Sequence, residues 1–291
     1  MRIDLHSHSD VSDGMCPPAE VVRRARANGV DVLALTDHDT VGGWDAATAA
    51  LPDGLTLVPG IELSCRHDGR SLHMLGYLFD PAEPELAAEL VRIRDDRVIR
   101  AQGMVRRLQA LGVDVTWEQV RALARGEAVG RPHVARAMVD AGAVRTADEA
   151  FTPQWIAQGG RAYVRGYSLD PERAVALVRA AGGVCVLAHP RARRGYAFAD
   201  ELIEELAAAG LAGVEADHPD HAPEDRARLH DLAASLGLAA TGSSDDHGEP
   251  AINRLGAETT APGAYQALVG AATGTPPRTG SERSDGGPKA R

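Results

Sequence analysis

His6 and His8 stand where a short polar–apolar alternation, residues 2–5, runs out, and a period of two sends both imidazoles to the same side. Placed like that, two rings can share an ion. Asp13 follows on a turn marked by Ser12 and Gly14, from which its carboxylate can fold back to the same point. A two-histidine motif is a weak signal alone, because short motifs recur by chance. Its weight rests on whether later segments bring further donors, and they do. His38 follows the next apolar stretch, Glu62 the third, and His73 stands at one end of the fourth, while His189 follows residues 184–188 and Asp245 and His247 follow residues 238–242. Six of the eleven histidines therefore fall with three acids at strand ends. A catalytic transition-metal site takes about three protein ligands and leaves a place for water, so nine donors suit two or three ions. Mixed imidazole and carboxylate ligation points to Mn, Fe or Zn rather than Ca or Mg. Three carboxylates offset only part of that positive charge, so the site should attract an anion such as phosphate.

The elements that must carry these donors alternate. Apolar strands are expected at residues 30–36, 55–59, 72–79, 184–188, 213–217 and 238–242, and helices at residues 19–28, 43–50, 171–181, 198–209, 224–236 and 264–272. Residues 83–160 differ, being rich in Ala, Leu, Arg and Glu, with Val98, Ala101, Val105, Leu108 and Leu111 at helical spacing. They read as an α-helical insertion. The rest, residues 1–82 and 161–273, reads as one α/β unit, and residues 274–291, rich in Gly, Pro, Ser and charge, as a disordered tail. Strand–helix alternation implies a parallel sheet, closed as a barrel or open and doubly wound, and in a barrel the carboxyl ends of the strands share the face where catalytic groups collect. No Gly-x-Gly-x-x-Gly follows a strand, which weakens the dinucleotide-binding form of the open sheet.

The formal charge of −10 excludes a surface built to coat duplex nucleic acid. Any phosphate substrate must be drawn by local charge, and with Lys289 the only lysine, that charge comes from arginine. Three widely spaced cysteines without Cys-x-x-Cys spacing fit a reducing compartment. With no signal-like segment and no run of transmembrane length, a cytoplasmic protein without a membrane partner is expected.

Taken in order, His6 and His8 with Ser12-Asp13-Gly14, Thr36-Asp37-His38-Asp39-Thr40, Gly60-Ile61-Glu62-Leu63-Ser64, His73-Met74-Leu75-Gly76-Tyr77, His189-Pro190 and Ser244-Asp245-Asp246-His247 resemble the polymerase and histidinol phosphatase (PHP) superfamily across nearly the whole chain. The resemblance implies a distorted (β/α)7 barrel with a trinuclear metal cluster, manganese first and iron or zinc as alternatives. Its nine ligands would be His6, His8, Asp13, His38, Glu62, His73, His189, Asp245 and His247. Within the superfamily, Gly130-Arg131-Pro132-His133 with Ala135-Arg136, then Phe151 and residues 160–164, is similar to the TrpH/YciV-type branch. That implies a phosphoesterase using hydroxide generated at the metals. Its substrate would be a small phosphorylated nucleotide, such as a nucleoside 3',5'-bisphosphate, or a short RNA cleaved 5'-to-3'. A phosphatase for another small ester such as histidinol phosphate is the alternative, followed by a non-catalytic metal- or nucleotide-binding module.

Four further residues are candidates for substrate contact. Arg131 and His133 stand at a helix start, where a cation and free amides can hold a phosphate, and His218 and His221 follow the strand ending at Asp217. Arg191, Arg193 and Arg194 follow His189 closely enough to overhang the site, although a solvated loop is the commoner fate of such clusters. Asp37, Asp39 and Asp246 adjoin ligands and are expected to set loops rather than bind metal. Cys65 is near Glu62 in sequence, without a histidine arranged to activate its thiol.

Overall fold

A computed structural model describes residues 1–126, 128–193, 197–249 and 254–280. The chain order is β1 (Ile3–Asp4), α1 (Pro18–Ala27), β2 (Val32–Leu35), α2 (Trp44–Ala49), β3 (Thr56–His67), β4 (Arg70–Tyr77), α3 (Pro84–Ala110), α4 (Trp117–Leu123), α5 (Arg131–Asp140) and α6 (Ala147–Ala150). There follow α7 (Pro171–Ala180), β5 (Val184–Leu187), α8 (Asp200–Ala209), β6 (Gly213–Asp217), α9 (Pro223–Leu236), β7 (Ala239–Gly242), α10 (Pro262–Ala271) and β8 (Arg278–Thr279). Strands β1 to β7 lie side by side in sequence order, and the ends of that sheet meet. Beyond β1, His8 N donates to Asp246 O at 2.9 Å, and Asp245 N donates to His6 O at 3.0 Å. These bonds nearly close a barrel. The buried Asp4 carboxylate reinforces the seam, accepting from Ser244 N at 3.0 Å and Gly256 N at 2.7 Å.

Period-two alternation explains what fills this barrel. Val32 and Ala34 of β2, Val58 of β3, Leu75 and Tyr77 of β4 and Val184 and Val186 of β5 share one cluster with Ile3 and Leu5. Leu33 and Leu35 pack outward on α1, while Ile61, Leu63, Met74, Cys185 and Val214 pack outward on the helices around β3 to β6. Both faces of the sheet are thus covered, which is why its strands read as nearly continuous apolar runs. Toward one end the inward positions turn polar: Glu62 and Ser64 follow Val58 on β3, and Glu215 follows Gly213 on β6. The site occupies that end. Helices α8 and α9 are stopped by Gly210 and Gly237, whose positive φ of 102° and 68° suits the left-handed position after a helix.

The expectation that all strands run the same way fails at β4. It pairs antiparallel with both β3 and β5, whereas β1–β2–β3 and β5–β6–β7 are parallel. The cause is local. Only Asp68 and Gly69 separate β3 from β4, both with positive φ, and a two-residue turn of that kind can join only antiparallel strands. Reversal puts His73 opposite Ser64, so a residue early in β4 arrives at the same end as the carboxyl ends of its neighbours.

Helices α3 to α6 carry a separate apolar cluster that includes Met104, Leu108, Val120, Val134, Met138 and Ile156. Helix α3 spans the junction, with Leu86, Leu90 and Ile93 packed on the barrel side and Ala101, Met104 and Leu108 in the helical cluster. The tail departs from expectation at its start. Thr275 Oγ1 donates to Phe79 O at 2.8 Å, and β8 pairs antiparallel with the first residues of β3. The remaining tail residues, 281–291, lie outside the described set. No helix among the described residues is long and apolar enough to cross a membrane.

Candidate metal centre and active site

All nine sequence-derived donors meet at the polar end of the barrel. They fall into overlapping groups: His8, Asp13, His38 and His247; His6, His8, Glu62 and Asp245; and His38, Glu62 and His73. A further group joins His6 and His189 to Glu215, a residue the motif reading passed over. Glu62 is the hub. Its Oε2 lies 3.1 Å from His6 Nε2, His8 Nε2 and His38 Nδ1, and its Oε1 lies 2.7 Å from His73 Nδ1 and 3.1 Å from His189 Nε2. Asp245 Oδ1 lies 3.4 Å from His6 Nε2 and 3.1 Å from His8 Nε2. Asp13 approaches from the other side, 3.5 Å from His247 Nε2 and 3.7 Å from His38 Nε2.

The geometry fits cations better than hydrogen bonds. Four donors placed tetrahedrally about 2.0–2.1 Å from an ion stand about 3.3 Å apart, close to the spacing within the His6, His8, Glu62 and Asp245 group. His8 Nδ1, His38 Nδ1, His73 Nδ1 and Asp245 Oδ1 are buried without a hydrogen-bond partner, although each has oppositely polar atoms within 4 Å. Buried polar atoms without hydrogen bonds are costly, and ions held within the overlapping groups would satisfy them.

Imidazoles and carboxylates in the cluster are strongly coupled. Burial disfavours charge on both His6 and His8. Even so, the neighbouring carboxylates Glu62 and Asp245 hold His8 up at about 10 and His6 well above its ordinary value. Burial would likewise raise Glu62 and Asp245, but surrounding imidazoles bring both well below the usual carboxylate range. His38 goes the other way, pushed down to about 4 mainly by burial.

The backbone is bent to present these groups. His189 and Asp245 both adopt positive φ, 27° and 49°, immediately beyond β5 and β7, a conformation that costs non-glycine residues energy and is concentrated at functional sites. Asp37 fixes the first loop, accepting from Ser9 N at 2.7 Å, Ser9 Oγ at 2.6 Å and Ser12 Oγ at 2.7 Å, which sets the turn carrying Asp13. Asp246 accepts from Gly248 N at 3.0 Å beside His247. Glu215 holds His6 from behind, 3.2 Å from its Nδ1, and takes the His189 amide at 2.8 Å and the Ser243 hydroxyl. Burial would raise Glu215, yet it is held down at about 2, chiefly by His6.

Asp39 has a different task. Its Oδ1 accepts from Ser64 N at 2.7 Å, and its Oδ2 receives Arg97 Nε at 2.6 Å, while Arg97 Nη2 also reaches Ser64 Oγ at 2.7 Å. A guanidinium from α3 thereby ties the helical segment to the loops bearing His38 and Glu62. The pair is buried, so removing one partner strands a charge at a cost of about 3–5 kcal/mol. Asp39→Ala should lower unfolding stability by about that amount in urea titration; a change under about 1 kcal/mol would show that the tie matters little. Burial opposes but Arg97 depresses the Asp39 carboxyl, so its contribution is full above about pH 4 and fades as pH falls through the folded value.

Beside the donors opens a cleft of roughly 160 Å³ lined by Asp13, His38 and His73 together with Arg66, Arg97, Arg100 and Arg131, and with Ser64, Tyr163 and Phe151. Arg131 opens α5 as expected, its guanidinium carbon 5.6 Å from the centre of the Phe151 ring. His133 is buried in the capping turn, its Nδ1 accepting from Gly130 N at 3.0 Å. Burial keeps it down at about 4, so it is neutral with its proton on Nε2. His218 Nδ1 likewise accepts from Asp220 N, at 3.1 Å, which turns its Nε2 towards Asp245 Oδ2 at 3.5 Å.

Other expectations are corrected. His221 donates from Nδ1 to Ala216 O at 2.8 Å and accepts Arg191 N on Nε2 at 3.2 Å, so both nitrogens are used on backbone. Arg191 pairs with Asp200 at the start of α8 instead of overhanging the site, and Arg194 lies outside the described residues. Cys65 points outward into the apolar shell, on the opposite parity to Glu62, and burial holds its thiol far above the ordinary range.

A family profile for the PHP domain matches residues 4–121. The chain is 38% identical over 249 residues to a 3',5'-nucleoside bisphosphate phosphatase of Chromobacterium violaceum, covering 84% of this chain and 87% of that one. It is 36% identical over 248 residues to a 5'-3' exoribonuclease of Haemophilus influenzae, covering 84% and 90%. The solved structure of a candidate metal-dependent phosphoesterase from Bifidobacterium adolescentis superposes with a TM-score of 0.85 at 34% identity, over 93% of this chain and 96% of that one. With whole-length likeness added to a barrel end crowded with imidazoles and carboxylates, the chain belongs to the PHP family of metal-dependent phosphoesterases.

Proposed function

We propose that the chain hydrolyses phosphate esters of nucleotides, with a nucleoside 3',5'-bisphosphate or the end of a short RNA as substrate. The observation that carries this reading is the cleft in which Arg66, Arg97, Arg100 and Arg131 stand beside Asp13, His38 and His73 of the donor cluster, so that an anion entering it meets several guanidinium groups. Phe151, still 37% exposed at that cleft, offers an aromatic face on which a base can stack without sequence preference. A cationic ester such as an amino-alcohol phosphate would meet like charge here. That disfavours the histidinol phosphate alternative.

In this reading His6, His8, Asp13, His38, Glu62, His73, His189, Asp245 and His247 hold two or three divalent ions, with manganese the first choice. Glu62 would offer both of its oxygens to such ions, since they face different imidazoles. Ions held there would neutralise phosphoryl charge and lower the pKa of a water from about 15.7 towards about 7. Arg131 orients the phosphate from the α5 end. His133 supplies a neutral Nε2–H donor from the same turn, and His218 holds a proton at Nε2 beside Asp245, suited to meet a leaving alkoxide.

The test is phosphate release by protein loaded with Mn, Fe or Zn. The substrates are adenosine 3',5'-bisphosphate, a 5'-phosphorylated trinucleotide RNA, a sugar phosphate and an amino-alcohol phosphate. The nucleotide esters should be preferred at least tenfold in kcat/KM; preference for the amino-alcohol ester would contradict the reading.

A further inference from the structure

Asp13 reaches the donor cluster on a long tether. It stands on a loop nine residues past Asp4, the end of β1, whereas His189 and Asp245 lie within three residues of the ends of β5 and β7. The barrel holds the loop around it: Asp37 takes Ser9 and Ser12, Gly14 N donates to Ser9 O at 2.9 Å, and Met15 N donates to His247 O at 2.7 Å. Asp13 O itself receives no main-chain amide among the described residues. The helical segment supplies that contact instead. Arg136 Nη2, from the second turn of α5, donates to Asp13 O at 2.6 Å. We propose that Arg136 is a positioning residue: through this bond it sets the Asp13 carboxylate for an ion of the His8, Asp13, His38 and His247 group, so that this ion depends on the docked helical segment. This rests on the metal-dependent reading above.

Arg136 is not among the residues that line the cleft, so it acts through Asp13 rather than on substrate. A hydrogen bond from a guanidinium is charge-assisted and stronger than a neutral one. It fixes the peptide plane that follows the Asp13 α-carbon, and with it the direction in which the side chain leaves the backbone. The carboxylate has little margin. Its oxygens stand 3.5 Å from His247 Nε2, 3.7 Å from His38 Nε2 and 3.9 Å from His8 Nδ1, wider than the contacts of Glu62, so a small drift takes it out of reach of a shared ion. Helix α5 is a firm anchor, because Val134, Ala135, Ala137 and Met138 are buried in the helical cluster. The α4–α5 connection meets the same loop. Gly126 packs so closely on Val11 that Val11 O leaves no room for a β-carbon there, and Arg125 pairs with Asp10 at 3.4 Å, a largely exposed contact worth little. Asp10, Val11 and Asp13 are thus met in turn by Arg125, Gly126 and Arg136.

The experiment measures Mn binding by calorimetry on metal-stripped wild type, Arg136→Met, Arg136→Lys and Arg125→Met. It adds the thermal midpoint of each metal-free protein and kinetics on adenosine 3',5'-bisphosphate over rising Mn. In Arg136→Met one of the bound Mn ions should lose about 10–100-fold in affinity, the size found when the partner of a metal ligand is removed. The other ions should bind as in wild type. At low Mn, kcat should fall and then recover as Mn rises, with KM little changed because Arg131 and His133 stay in place. Arg136→Lys should keep most of the affinity and Arg125→Met all of it. If metal-free Arg136→Met does not melt cooperatively, Arg136→Gln is read by the same criteria. Wild-type Mn affinity in the neutral variant, an equal loss at every ion, or as large a loss in Arg125→Met would overturn the inference while leaving the metal reading intact. Wild type that binds no Mn would overturn that reading and this inference with it.

Discussion

Glu62→Gln is expected to lose bound metal and to lower kcat by about 10³-fold or more, equivalent to about 4 kcal/mol. The size follows from the position of the carboxylate. Glu62 stands within 3.1 Å of five imidazoles, two on one oxygen and three on the other. Glutamine keeps the volume but removes the negative charge and turns one oxygen into an N–H donor aimed at ring nitrogens. No other carboxylate among the described residues lies so close to so many of the imidazoles. Metal analysis and phosphate release on the same preparation settle the point: full metal content with kcat within tenfold of wild type would remove Glu62 from the centre of the account.

The second large effect is linkage between metal and protons. In metal-free protein burial disfavours charge on His6 and His8, but Glu62 and Asp245 shift both towards the protonated form. An ion can bind those nitrogens only by displacing the protons, so loading should release about two protons per chain, and affinity should fall steeply as pH drops. Calorimetry of Mn binding in buffers of different ionisation enthalpy reads that number; zero release would contradict it. The sign of the stability effect follows from the same shifts. The raised histidines stabilise the metal-free fold fully below about pH 6.5 and lose that contribution as pH rises towards about 10. The depressed carboxylates Glu62, Glu215 and Asp245 contribute above about pH 4.5 and lose it on acidification. Metal-free protein should therefore melt highest near pH 5–6, and metal should move that maximum upward.

The donor set was legible because metal ligation needs a few residue types at strand ends, and strand ends show as the places where apolar runs stop. His38, Glu62, His189 and Asp245 each follow such a run. What escaped notice had weaker or differently coded signals. Glu215 sits inside β6 between Val214 and Ala216; an acid in a strand whose neighbours are buried was itself the clue. The reversal of β4 was written in Asp68-Gly69, a two-residue turn that the expectation of uniform parallel strands overrode. Arg97 looks like one more helix arginine, and nothing in α3 says that it will reach Asp39, which is 58 positions away. Such a pairing depends on how the helical segment docks. The same holds for Arg66 and Arg100, which share a cleft only because β3 and α3 both line it. His221 failed for the converse reason: its place after β6 was read correctly, but its two nitrogens are spent on Ala216 and Arg191 backbone.

In the proposed function, the imidazole and carboxylate cluster holds metal ions on which hydrolysis of nucleotide phosphate esters depends. The most direct test of this dependence is to purify the protein anaerobically, measure bound transition metal per chain, and follow phosphate release from adenosine 3',5'-bisphosphate before chelation, after it, and after Mn is restored. The account predicts more than one ion per chain, activity lost with the metal and recovered with it. Turnover that survives complete removal of metal would contradict it.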